Sequence, residues 1–170
     1  MTAKLIGALI VLIGCGGCGF MIALSYKRET FALKQLLSAI DFMQCELRYK
    51  MTPLPALCRL TAGTVSGQIK YFFETLGEEL EQQISPNVKT CVDAALSKCK
   101  MMPQLTQEIL SEAGNTLGMF DLAGQLQSLD AFKEITENKL KIHTENQEVR
   151  IRSYQTLGLC AGAAIAILFI

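Results

Sequence analysis

Hydrophobic positions recur at three-and-four spacing through almost the whole chain, the pattern of helices that bury one side. Leu33, Leu36, Leu37, Ile40, Met43 and Leu47 form the first stripe, which continues from an apolar stretch beginning at Leu5. Pro53 ends it, because a proline disfavours helical geometry in the residue before it. Thr52 is placed to cap a short second helix, with Pro53 at its first position and Leu54, Leu57 and Cys58 turned inward. After a small polar connection, Ala62 to Gly67, a third stripe runs through Ile69, Phe72, Phe73, Leu76, Leu80 and Ile84. Ser85 and Pro86 repeat the cap-and-proline signal ahead of a fourth, Val88, Cys91, Val92, Ala95, Leu96 and Cys99. Pro103 precedes a fifth, Leu105, Ile109, Leu110 and Ala113, which ends near Gly114 to Gly118. Asp121 is placed to cap a sixth, whose stripe begins Leu122, Leu126, Leu129, Phe132 and Ile135 and thins to Leu140, Ile142 and Val149. Neither proline nor glycine interrupts Gln125 to Leu157. One helix is therefore expected to run about 49 residues, roughly 70 Å at the standard rise, through the charged neck "KLKIHTENQEVRIRS" into an apolar C-terminal stretch. No run alternates in the manner of a strand.

Composition adds where the apolar excess sits. Half of the 170 residues are hydrophobic and 19% are charged, yet Leu5 to Leu24 and Thr156 to Ile170 contain no charge at all. About 20 helical residues cross about 30 Å of hydrocarbon, so the first stretch is long enough to span a bilayer. The second reaches the low end of that range once Tyr154 and Gln155 sit at the interface. Lys27, Arg28, Lys34, Lys139, Lys141, Arg150 and Arg152 flank the spans on the central side and only Lys4 on the outer side. This bias predicts a cytoplasmic central region between two spans that form a hairpin. The net charge is zero and no basic tract grips phosphates, so nucleic acid is not an expected partner.

The stretch "LIGCGGCGF", Leu12 to Phe20, leaves a second reading open. Leu12, Ile13 and Gly14 before Cys15 resemble the cleavage box of a bacterial lipoprotein signal, which would place the protein outside the membrane, anchored at Cys15. Against it, a polar tether should follow the lipidated cysteine, whereas the sequence stays uncharged up to Lys27. As a span, the same stretch offers Gly7, Gly14 and Cys18 on one face, and the C-terminal stretch offers Gly158, Gly162 and Ala166. Such small faces let helix backbones pack closely in lipid, although glycine and alanine are also simply common there.

The chain offers little candidate chemistry. The seven cysteines, at 15, 18, 45, 58, 91, 99 and 160, form no paired framework, which fits a reducing compartment. Cys15 and Cys18 match a redox or zinc half-site without a second ligand pair, and His143 is the lone histidine, in the neck, where a solvated side chain is expected. Glu78, Glu79 and Glu81 point in different directions around a helix and read as a solvated face. There is no Gly-rich loop ending in Lys-Ser or Lys-Thr, so the chain is not a nucleotide-driven motor, and no nucleophile has a base. No catalytic residue, cofactor, metal or small-molecule substrate is expected.

Three stretches together, "ELRYKMTPL" from Glu46 to Leu54, "LGMFDLAGQ" from Leu117 to Gln125 and "LGLCAG" from Leu157 to Gly162, resemble the stage III sporulation protein AB family of endospore-forming bacteria. The matching positions are Glu46, Tyr49, Thr52, Pro53 and Leu54, then Leu117, Gly118, Asp121 and Gln125, then Gly158 and Gly162. The glycine-and-cysteine run at 14 to 19 departs from the family's first span. The resemblance implies a membrane subunit of the channel-like complex between mother cell and forespore, with a helical domain similar to type II secretion and type IV pilus platform proteins. It implies as partners a secretion-type ATPase, the stage III AA protein, and other stage III A members, with self-association left open. The resulting expectation is an all-α protein of about six helices bracketed by transmembrane helices. Residues 1–25 would form the N-terminal span, 26–154 a cytoplasmic bundle and 155–170 the C-terminal span.

Overall fold

The computed structural model describes the backbone of residues 2–82, 87–117 and 122–169, with side chains described between residues 24 and 145 of those stretches and at Met21 and Thr156. Among these residues there are six helices and no strand: α1 (Thr2–Lys50), α2 (Leu54–Thr64), α3 (Gly67–Glu81), α4 (Val88–Lys98), α5 (Gln104–Ala113) and α6 (Leu122–Phe169). The all-helical expectation and the two long terminal helices are present. Among the described residues no helix is long and apolar enough to cross a membrane. The described backbone of the two stretches expected as spans, residues 2–25 and 155–169, is helical, and of their side chains only those of Met21, Leu24, Ser25 and Thr156 are described.

The chain forms two compact units, one of Met1–Arg28 with Ile142–Ile170 and one of Glu29–Lys141. In the first, His143 does not stand alone in solvent as the neck reading expected. It is half-buried against Tyr26, ring centroids 5.1 Å apart and tilted by 44°.

The second unit holds the core. Leu33, Leu36 and Ile40 of α1, Leu57 of α2 and Val92 of α4 have no exposed surface, and Phe72, Ile69 and Leu129 have almost none. These are the stripe positions read from the sequence, and each fully buried large side chain contributes about 1.5–3 kcal/mol relative to exposure. Phe72 and Phe73 meet edge to face with centroids 5.3 Å apart. Within this unit α1 and α6 are antiparallel, since Lys133 Nζ donates to Asp41 Oδ1 at 2.7 Å and Gln44 Nε2 donates to Asp130 Oδ1 at 2.8 Å.

Helix starts differ from the sequence reading in instructive ways. Pro53, not Thr52, occupies the cap position of α2, with φ −57° and ψ 145° and no side-chain cap. Helix α2 also runs through Ala62 and Gly63 to Thr64, so the polar connection shrinks to Val65 and Ser66, and Val65 is buried. Asn87 caps α4, its Oδ1 accepting from the Lys89 N–H at 3.1 Å, while Ile84, Ser85 and Pro86 lie outside the described residues. The N-termini of α3 and α5 are satisfied from α1. Gln35 Oε1 accepts from the Ser66 N–H at 2.8 Å, and Glu29 Oε1 accepts from the Leu105 N–H at 3.0 Å, placing a carboxylate at the positive end of α5.

Candidate interaction site

The first family-like stretch is a built helix end. Glu46, 9% exposed, receives Lys50 Nζ at 2.9 Å on one carboxylate oxygen and Thr52 Oγ1 at 3.2 Å on the other. Between them Met51 adopts φ 51°, a left-handed step that closes α1 in the way a helix C-terminus often does, usually with glycine. A side chain in that region costs about 1 kcal/mol, and the Glu46 clamp holds the residues on either side of it. The hydrogen bond to Glu46, and then its charge, raise the Lys50 ammonium above its ordinary value. Arg48 and Lys50 in the last turn also suit the negative end of the helix.

What this device presents is unexpected. Tyr49 is 77% exposed and Met51 70%, so neither packs into the bundle. Arg48 is exposed beside them. Leu54, by contrast, packs against the core. It shares a void of about 10 Å³ with Leu117 of the second family-like stretch and with Met43 and Phe132, so the structure brings those two stretches together through apolar packing. Gln125 is half-buried, whereas Gly118 and Asp121 lie outside the described residues, and with them the expected cap of α6. Gly7, Gly14 and Cys18 fall in α1 and Gly158, Gly162 and Ala166 in α6; the side chains of Cys18 and Ala166 are outside the described residues.

A second surface feature escaped the sequence reading. Between α5 and α6 lies an open groove of about 440 Å³, with Ile109, Ala113, Phe132 and Ile135 among its apolar walls and Gln127, Ser128 and Glu112 at its polar edge. Ile135, expected in the core, is 38% exposed because it faces this groove. The one signal in the sequence was its place at the point where the sixth stripe begins to thin.

Residues with latent chemistry are kept apart. Glu79 pairs with Lys98 of α4 and Glu81 with Arg59 of α2, so the acidic run of α3 is divided between neighbours. Burial pushes the Cys58 thiol up to about 12 and raises Cys91 and Cys99, and of the described cysteines Cys45 alone is exposed. Among the described residues no cluster of three or more metal-ligating side chains occurs.

Comparison with known proteins follows the same outline. The family model of stage III sporulation protein AB matches residues 4–170. A relative named stage III sporulation protein AB, from Bacillus subtilis (strain 168), is 23% identical over 168 residues, covering 97% of this chain and 98% of its own length. A solved structure of a stage III sporulation protein AB superposes with a TM-score of 0.63 at 20% identity, over 72% of this chain and 98% of that one, a likeness of fold. The match from residue 4 to residue 170 places the chain in the stage III sporulation protein AB family, with a role in sporulation.

Proposed function

We propose that the chain is a non-enzymatic membrane platform of the stage III sporulation complex, with its helical bundle in the cytoplasm as the docking body for a secretion-type ATPase. The observation that carries this reading is the layout. One compact helical unit is Glu29–Lys141, and the remaining parts of the two long terminal helices belong together in a second unit. Those parts contain the two charge-free stretches, with basic residues concentrated on the bundle side. Two such helices leave the bundle anchored at both ends, an arrangement suited to holding partners in place. The mother-cell membrane facing the forespore is the location this reading assigns, with the stage III AA protein and other stage III A members as partners.

The native Cys45 provides the test, because it is exposed on the bundle. With a membrane-impermeant thiol reagent and peptide mapping, Cys45 should label in inverted vesicles and not in intact cells. Pull-down of the full chain from membranes of sporulating cells should recover the ATPase. Labelling of Cys45 in intact cells would instead place the bundle outside and revive anchoring at Cys15, which an N-terminus beginning at that cysteine would establish.

A further inference from the structure

The exposed end of α1 and the α5–α6 groove are opposite in charge, and we propose that they join two copies of this chain, the Tyr49 tip of one seated in the groove of the other.

The tip carries the residue types that dominate protein interfaces, an arginine, a tyrosine and a methionine, in an exposed position. Its local acid is already committed, since Glu46 holds Lys50 and Thr52, so Arg48 leaves the tip positive. Met51 is displayed in a left-handed conformation that a glycine would adopt without strain, so the fold maintains a large apolar side chain there without burying it.

The groove has the opposite character. Its walls are apolar, and at its edge the exposed Glu112 carboxylate has no cation partner among the described residues. A tyrosine suits such a place, with the ring against Ile109, Phe132 and Ile135 and the hydroxyl near Gln127 and Ser128. Arg48 then meets Glu112. A lipid surface is the poorer occupant for the tip, because anionic membranes are gripped by clusters of basic residues and the tip has one uncommitted cation.

The two features also lie at one level of the bundle. The pairing of Asp41 with Lys133 and of Gln44 with Asp130, continued along the antiparallel helices, sets the end of α1 level with the Gly124 end of the groove. Two copies related by a two-fold axis can therefore exchange tips, each supplying one knob and one groove, which gives a closed dimer.

The test uses the full chain in its membrane, with a photoreactive benzophenone amino acid in place of Tyr49. Illumination should yield a covalent dimer whose crosslinked peptide maps to residues 109–135. Arg48→Glu alone, or Glu112→Arg alone, should lower the dimer yield about tenfold, and the two together should restore it. Met51→Gly, which relaxes the left-handed step, should lower the yield while the thermal midpoint stays the same or rises. A dimer mapped elsewhere, a crosslink only to another protein, no crosslink, or a double reversal that fails to recover would each overturn the proposal.

Discussion

Cys58 shows how a single buried group shapes the response of the protein to pH. Its thiol has no exposed surface, and burial alone holds its ionisation at about 12 against an ordinary 9.0. Because the folded value is the higher one, the protonated native state is favoured and its stability is fully present below pH 9. As pH rises from 9 towards about 12 the unfolded chain ionises first, and stability should fall by at most ~1.4 kcal/mol per pH unit from this group. Cys58→Ala removes that slope, so comparison of denaturation midpoints between pH 8 and 10.5 for the two proteins should show the variant losing less. Thr106 is a different residue-scale feature, a buried hydroxyl without a hydrogen-bond partner among the described residues.

At the scale of the elements, the bundle depends on caps contributed across space. Short helices leave their first N–H groups without partners, and α3 and α5 have neither a side-chain cap of their own nor an acid in the first turn. Gln35 and Glu29, both on α1, supply the missing acceptors. Gln35→Ala and Glu29→Ala should each destabilise the protein by about 1 kcal/mol, and the double variant by nearly the sum, because the two sites serve different helices. Circular dichroism in urea measures this; additivity within a few tenths of a kcal/mol would show that the two caps act independently. None of this was legible along the chain, since an acceptor 31 or 76 residues away gives no local signal. The Ser85-Pro86 signal competed with Asn87, which is two residues nearer the helix than Ser85 and has the side-chain acceptor that the Lys89 N–H uses.

For the whole molecule, stability rests on the apolar core and only slightly on its charges. The ion pairs Arg59–Glu81, Lys98–Glu79 and Lys133–Asp41 each join a partly or largely exposed pair of side chains, and such pairs are worth under ~1 kcal/mol. Phe72, in contrast, is buried where α3 meets the rest of the bundle. Phe72→Ala should cost about 3–5 kcal/mol and Arg59→Ala less than about 1 kcal/mol, measured as shifts in unfolding free energy of the full chain. The same balance explains why the acidic run of α3 can be distributed among partners without forming a site.

The sequence by itself determined the helices, their order and most of the core, because a period of 3.6 residues forces each buried stripe to be written in the chain. It also carried the family, through three stretches spread from residue 46 to residue 162. In "ELRYKMTPL", a helix stop before Pro53 was legible, yet the device that makes it was not. That Glu46 folds back on Lys50 and Thr52 around a left-handed Met51, leaving Tyr49 in solvent, is a matter of backbone geometry. Periodicity assigned Ile135 to the core because it follows Phe132 by three residues, but whether a stripe position is covered depends on how closely the facing helix packs. Ile135 lines the groove together with Ile109 of α5, where the two helices leave a gap between them. Which side chains are buried together is written in the pattern; which are left uncovered, and which helix caps which, are decided only when the helices meet.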